Sequence, residues 1–350
     1  MIQRNHETPS PSRTYRPRAC APGTAAAPDA PLPRIIASVA RQCALLACAV
    51  LLLTTRAAAA DHLTLLLDWF INPDHAPILV AQQIGAFARH DLAVELIAPA
   101  DANMPPRLVA AGHGDIALTM QPQLYEQVAG GLPLKRIGAL IDRPLSTLVS
   151  LHEANITSPA ALSGKRIGYG SGQIEQAMVG AMLATAGLSL KDVHMVQVGE
   201  QLTVSLLTHQ VDAVTVYRNF ESLELRENGA RINALDYETN GVPAFDEMIF
   251  VTSTREAADP RLPRFLQAIA EGTAYLRAHP EDCWKAFAAA HPDLNNTLNH
   301  DAWFATLPYF AANPFTLDAA KYEAFARFLH TAGVISAVPE LAEYTVHLSK

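Results

Sequence analysis

The sequence predicts an α/β fold of two lobes, each a sheet flanked by helices, and three observations carry the prediction. From Asp61 onward, short apolar runs alternate with helical patterns, the signature of parallel sheets covered on both faces. Two stretches, Leu108–Thr119 and Leu206–Val216, share one plan: a helix end, a turn, an aspartate, then an apolar strand. After about residue 245 one strand is followed only by helices, which have no sheet of their own to cover. That tail is expected to pack back on the first lobe, so the chain crosses between lobes twice, near residues 143–150 and 243–248. The expected division is 61–147 with 245–350 for one lobe and 148–244 for the other.

The elements follow in order. Leu63–Leu67 reads as a strand, Pro77–Arg89 as an amphipathic helix and Leu92–Ile97 as a strand. Pro106–Ala111 reads as a helix, Asp115–Leu118 as a strand and Pro122–Ala129 as a helix begun by proline. Residues 134–151 hold two β-rich runs. Ser158–Pro159 suits the cap and first position of a short helix that Gly164 ends. Strands are expected at Lys165–Tyr169, Val193–Val198 and Asp212–Val216, and helices at Glu175–Ala186, Gln201–His209 and Phe220–Glu227. The tail holds strand Glu247–Thr252 and helices Pro263–Ala278, Glu281–Ala290, Asp301–Ala311 and Asp318–Ala332.

Residues 1–60 differ from the rest. Residues 1–34 are rich in Pro, Ala, Arg and Ser without apolar periodicity. A basic flank at Arg34 and Arg41, an apolar run Cys43–Leu53 and an alanine-rich exit at Ala57–Ala60 make the three parts of a secretory signal. The run is short for a membrane span, and an uncleaved anchor is the other reading. Leu45–Cys48 resembles a lipoprotein box, but apolar residues continue past Cys48, which argues against lipidation. The expected location is therefore the periplasm. Removal of the leader leaves 19 basic and 32 acidic residues, a formal charge of −13, which opposes binding to nucleic acid or anionic membranes. It also leaves Cys283 as the one cysteine, so neither an intramolecular disulfide nor a thiolate metal site is expected.

The most distinctive segment is Leu66–His75, LLDWFINPDH. A buried-strand pattern breaks off into Asp68, Trp69, Asn72 and His75, which sets a flat π-face beside hydrogen-bonding groups. A core tryptophan followed by turn residues fits as well. Ligands of open α/β sheets sit outside the carboxyl ends of the strands. The two echoed strands end in polar-aromatic clusters, Gln121, Gln123 and Tyr125 in one and Tyr217, Asn219 and Glu221 in the other. Trp69, Tyr125, Tyr217 and Glu221 together could stack on and hydrogen-bond a small planar heterocycle. Gly168–Gly172, GYGSG, completes neither phosphate-binding fingerprint. Its Gly170 and Gly172 can offer backbone N–H groups at a helix start or simply make a tight turn. Thirteen histidines form no H-E-x-x-H pair, and there is no G-x-S-x-G, so neither a metal site nor a catalytic residue is expected.

These residues resemble a known family. The segments LLDWFINPDHAPILVAQQIGAF, LVAAGHGDIAL, GLPLKRIGALIDRPL, SPAALSGKRIGYG, VDAVTVYRNFE and FLQAIAEGTAYLRAHPEDCWKAFAAAHPDLNN are similar to those of the family containing bacterial ThiY-type pyrimidine-binding proteins and the fungal thiamine-pyrimidine synthase. The resemblance covers most of residues 63–296. It implies a type II periplasmic-binding-protein fold, two Rossmann-like lobes joined by two crossover segments and closing on a thiamine pyrimidine precursor. Within the family, the synthase uses pyridoxal phosphate and a histidine of its own chain. The resemblance places its cofactor lysine at Thr119 and its reacting histidine at Gln123, and its Cys-rich iron segment at FDEMIFV, Phe245–Val251, which has no cysteine. The binder branch is implied instead, without cofactor. Trp69 would stack on the pyrimidine, Asn72 and Tyr217 would hydrogen-bond it, and Glu221 would hold its amino face, with His75, Gln121, Tyr125, Asn219, Gly170 and Gly172 also at the ligand. Ile71 departs from the family's usual proline. The implied partners are a small pyrimidine and the permease and ATPase of an ABC importer, served by a monomer. A synthase relative, or a binder of another heterocycle such as riboflavin, is the competing reading.

Overall fold

The computed structural model describes residues 60–349 apart from Ala102 and Ser171, so the leader and its box-like tetrapeptide lie outside the described residues. From Ala58 onward the chain forms one compact unit. Two five-stranded sheets organise it. The first runs β2 (Leu92–Ile97), β1 (Asp61–Leu66), β3 (Ile116–Thr119), β10 (Met248–Ser253), β4 (Leu134–Ile141). The second runs β7 (His194–Gln197), β6 (Arg166–Tyr169), β8 (Ala213–Tyr217), β5 (Ser146–Leu151), β9 (Ile232–Asp236).

The two orders are the same plan used twice. In each sheet four strands run in one direction, and the strand in the fourth position is antiparallel to both its neighbours. The sheets are therefore mixed, a correction to the expected parallel sheets. The cause is the crossover: β5 and β10 are the strands the chain enters on arriving from the other lobe, and each inserts head-to-tail between strands of its new sheet. The passages run between Ile141 and Ser146 and between Asp236 and Met248.

The sequence echo has a structural reason. Asp115 accepts the Thr64 backbone N–H at 2.7 Å, and Asp212 accepts that of Arg166 at 2.8 Å. The backbone N–H of each aspartate donates to the carbonyl of the same residue. The aspartate thus staples the third strand to its parallel neighbour at the point where pairing begins.

Both faces of each sheet are buried, by alternation along the strands. Leu63, Leu65, Ile116, Leu118 and Phe250 pack under helices Ala76–Gln83 and Arg261–Ala278, with Phe265 and Ile269. Leu66, Ala117, Ile249 and Val251 face the opposite way, toward Tyr125, Tyr322 and Phe325. In the second sheet Ile167 and Ala213 meet Met178, Val179 and Met182, while Val149, Val214 and Val216 meet Leu206 and Leu225. Of the tail's helices, Arg261–Ala278 packs on the first sheet's helix Ala76–Gln83. Gly272 makes the tightest seam: a Cβ there would lie 2.4 Å from the Pro77 carbonyl.

Several boundaries shift for local reasons. The expected helix Pro77–Arg89 is two helices, Ala76–Gln83 and Ala86–Arg89, because Gly85 adopts φ +70 between them. Asp301–Ala311 is instead Thr297–Thr306: Asn296 caps its start by accepting the Asn299 N–H, and Pro308 ends the helical hydrogen-bond ladder. Pro159 begins a short 3-10 turn, but the Ser158 side chain makes no cap bond. Strand β9 had no sequence signal, since INALD is an edge strand without clean alternation.

Candidate functional site

The carboxyl ends of β3 and β8 meet at a cleft of about 340 Å³ between the sheets. Met120, Pro122, Gln123, Glu126 and Gln127 come from the first lobe, with Asn103 and Arg107 at one side. Thr215, Tyr217 and Glu221 come from the second, with Gly172, Glu175 and Met178 of helix Gln173–Ala184 and with Tyr237. Ser146 and Glu247 line it from the two crossings.

Helical periodicity decides which members of each sequence cluster reach this cleft. Helix Gln121–Ala129 begins directly after β3. Residues four apart share a face, so Gln121 and Tyr125 point inward together, both fully buried. Gln121 donates to the Tyr125 hydroxyl at 2.8 Å and accepts the Asp246 N–H, and Tyr125 donates to the Tyr322 carbonyl. Gln123, Glu126 and Gln127 occupy the cleft face instead. Across the gap, Tyr217 and Glu221 lie four apart at the cleft, and the Tyr217 N–H donates to Glu221 Oε2 at 2.9 Å. Asn219, between them, is buried and donates to Asp74 Oδ1 and Thr306 Oγ1.

The loop after β1 is held by hydrogen bonds among its own residues. Asn72 caps the 3-10 turn Pro73–His75, accepting the Asp74 N–H at 2.8 Å and donating to the Phe70 carbonyl. His75 is wholly buried; its Nδ1 accepts the Asn72 N–H, so Nε2 carries the proton that faces Asp68 Oδ1 at 2.9 Å. Trp69 is 41% exposed, edge-on to Phe70, and outside the cleft wall. Thus Tyr217, Glu221 and Gly172 of the expected set line the cleft. Gly170 sits against the Glu175 carboxylate, 3.4 Å from where its Cβ would be. His75, Gln121, Tyr125 and Asn72 hydrogen-bond within the frame, as does the Asn219 amide nitrogen, while Asn219 Oδ1 is buried without a partner.

The cleft is strongly acidic. Glu126, Glu175, Glu221 and Glu247 line it, and Arg107 is the one cation among the lining residues described. Burial raises the carboxyl pKa of Glu221 and of Glu126. Burial also lifts the Tyr217 phenol well above its ordinary value, and Glu247, Glu221, Asp68 and Glu175 lie near enough to push it further. Glu175 stands in the first turn of its helix, where an incoming anion would otherwise find the free N–H groups.

Sequence reasoning missed Asp74 and Glu247. Asp74, buried by the NPDH turn, is pushed up to about 6 chiefly by burial. It accepts from Asn219 of the second lobe at 2.7 Å and from Thr306 at 3.1 Å, so it joins the lobes. Glu247 accepts the N–H groups of Leu145 and Ser146 at 2.6 and 3.0 Å, which ties one crossing segment to the other. Burial pushes it up to about 7. The available signal was a lone glutamate opening an apolar strand at a crossing.

These two carboxyls make stability pH-dependent. The folded state holds a proton that the unfolded chain has released, so the contribution is complete below the ordinary values near 4 and is lost as pH rises through about 6 for Asp74 and about 7 for Glu247. At 1.4 kcal/mol per pH unit, Glu247 alone accounts for about 3 kcal/mol. Thermal melts at pH 5.5 and pH 8 are expected to show a gain on acidification that Glu247→Gln largely removes; an equal gain in the variant would refute the assignment.

Comparison with known proteins gives the family and the fold. The family model described as NMT1/THI5 like matches residues 72–283. A Haemophilus influenzae protein whose name assigns it to thiamine biosynthesis is 45% identical over 300 residues, covering 85% of this chain and 96% of that protein. A 4-amino-5-hydroxymethyl-2-methylpyrimidine phosphate synthase of Legionella pneumophila is 28% identical over 262 residues, 74% of this chain and 83% of that one. The formylaminopyrimidine-binding protein of Halalkalibacterium halodurans is 27% identical over 243 residues, 69% and 74% respectively. Among solved structures, the alkanesulfonate-binding protein SsuA of Xanthomonas axonopodis pv. citri matches with a TM-score of 0.63 at 18% identity, over 83% of this chain and 99% of that chain. The fold is that of the periplasmic binding proteins, two α/β lobes around a cleft.

Proposed function

The chain belongs to the NMT1/THI5-like family, and from that premise we propose that it is an exported solute-binding protein that captures a thiamine pyrimidine precursor and delivers it to an ABC importer. The ligand is of the hydroxymethylpyrimidine or formylaminopyrimidine type. The observation that carries the reading is the cleft at the ends of β3 and β8, where Tyr217 and Glu221 face acidic and amide side chains of the other lobe. An aminopyrimidine presents an amino donor beside a ring-nitrogen acceptor. Glu221 accepts from the first, and tyrosine hydroxyls and glutamine amides serve the second. Closure is a hinge motion about the two crossings, stabilised by whatever the ligand touches on both lobes. On this reading Trp69, exposed on the loop leaving β1, stacks on the pyrimidine when the lobes close.

A binder rather than a synthase is favoured by the cleft's residues. Thr119, at the family's cofactor-lysine position, is buried and bonded toward Gln123. No lysine is among the lining residues described. A borohydride-sensitive aldimine absorbance with pyridoxal phosphate would reverse this choice. The acidic wall likewise argues against sulfonate-like anions.

Isothermal titration with 4-amino-5-hydroxymethyl-2-methylpyrimidine tests the reading. Glu221→Ala and Trp69→Ala are each expected to weaken binding at least tenfold, about 1.4 kcal/mol. Trp284 and Trp303 are buried in the core, so ligand-induced fluorescence change should vanish in Trp69→Phe. Unchanged affinity in both alanine variants would remove the site.

A further inference from the structure

We propose that Thr215 and Tyr237 form a second hydrogen-bonding subsite in the cleft, which reads an uncharged substituent able both to donate and to accept. This rests on the pyrimidine reading above and adds the residues that select the ring's side group. Both residues line the cleft, and neither side-chain hydroxyl has a hydrogen-bond partner. Tyr237 is 1% exposed and Thr215 6%. A buried hydroxyl left unpaired costs about 1–3 kcal/mol, so two in one wall call for an explanation. From the opposite lobe, Gln127 Oε1 lines the same cleft and is also without a donor.

The placement follows from the strand. Alternation sets Thr215 on the same face of β8 as Tyr217, one pleat repeat away, roughly 7 Å. Tyr237 stands in the turn after β9, packed with Met178 in the same core. The subsite is therefore distinct from the Glu221 carboxylate yet continuous with it. Two hydroxyls on one wall and an amide oxygen on the other complement a hydroxyl or a secondary amide. They do not complement a methyl group, which would leave all three atoms unpaired.

The test titrates the full chain and its Tyr237→Phe and Thr215→Val variants with two pyrimidines that differ only at this substituent. These are 4-amino-5-hydroxymethyl-2-methylpyrimidine and 4-amino-2,5-dimethylpyrimidine. Each variant is expected to lose at least fivefold in affinity for the hydroxymethyl compound and to bind the dimethyl compound within twofold of wild type. Both variants remove an orphaned group, so their melting temperatures should be equal to or above wild type, which separates a binding loss from misfolding. Equal losses on both compounds, or none on either, would overturn the subsite while leaving the pyrimidine reading intact. The second result would mean that water alone satisfies these hydroxyls. Wild-type protein that binds neither compound would overturn the pyrimidine reading and the subsite with it.

Discussion

The phosphate ester of the proposed pyrimidine should bind at least a hundredfold more weakly than the free alcohol at pH 8. A phosphate monoester carries about 1.5–2 negative charges near neutrality. It would enter a cleft lined by Glu126, Glu175, Glu221 and Glu247, with Arg107 as the opposing cation. Two like unit charges about 6 Å apart at an effective dielectric of 20 repel by roughly 3 kcal/mol. One such unrelieved pair corresponds to about two orders of magnitude in affinity. The penalty has a characteristic pH dependence. Glu247 has a pKa pushed up to about 7 and that of Glu221 is also raised, both chiefly by burial, so acidification protonates the wall and relieves the repulsion. The affinity ratio of alcohol to ester should therefore shrink from pH 8 to pH 6. Calorimetric titration of both compounds at the two pH values decides it. Equal affinity at pH 8, or a ratio that widens toward pH 6, would contradict an anion-excluding cleft.

The second large effect concerns stability. Asp246→Ala should cost about 3–5 kcal/mol, the range for stranding buried charge. Asp246 is 2% exposed and neutralises two cations at once. Its Oδ1 accepts from Lys321, its Oδ2 accepts the Tyr322 hydroxyl at 2.6 Å, and the Arg136 guanidinium lies 3.9 Å away. Arg136 is fully buried, donating to the Tyr322 hydroxyl and the Thr316 carbonyl. Truncation leaves that guanidinium without its counter-charge and frees the Tyr322 hydroxyl. A chain of this size should melt about 10 °C lower. Because Asp246 precedes the crossing glutamate, the variant should also bind ligand more weakly than its stability loss alone explains. A melting temperature within about 2 °C of wild type would show that the network carries little net energy.

Much of the frame was legible in sequence. Period-two and period-3.6 patterns located nearly every strand and helix, since burial on one face is what those periods encode. The echo at Asp115 and Asp212 was readable too, because a strand start that must be stapled to its neighbour needs a short acceptor at that place. The cleft was legible only in part. Of the residues read as a ligand set, Tyr217 and Glu221 line the cleft, while Gln121, Tyr125 and Asn219 hydrogen-bond within the frame. The cluster named at the end of β3 spans a helix that begins at Gln121, and its period turns Gln121 and Tyr125 inward while Gln123 lines the cleft. The NPDH turn was chemically conspicuous, yet its polar groups bond within the loop or, through Asp74, to Asn219 and Thr306, and along the loop Trp69 and Phe70 remain exposed.

The chain's own pattern determined the α/β class, the two-lobe arrangement and the net negative charge, because these follow from local burial and composition. Tertiary structure decided the antiparallel fourth strand of each sheet, the tie that Glu247 makes between the crossings, and the orphaned hydroxyls of Thr215 and Tyr237. Each depends on residues far apart in sequence being brought within a few ångströms, and desolvation, which raises the carboxyls and makes an unpaired hydroxyl costly, exists only once those neighbours have excluded water.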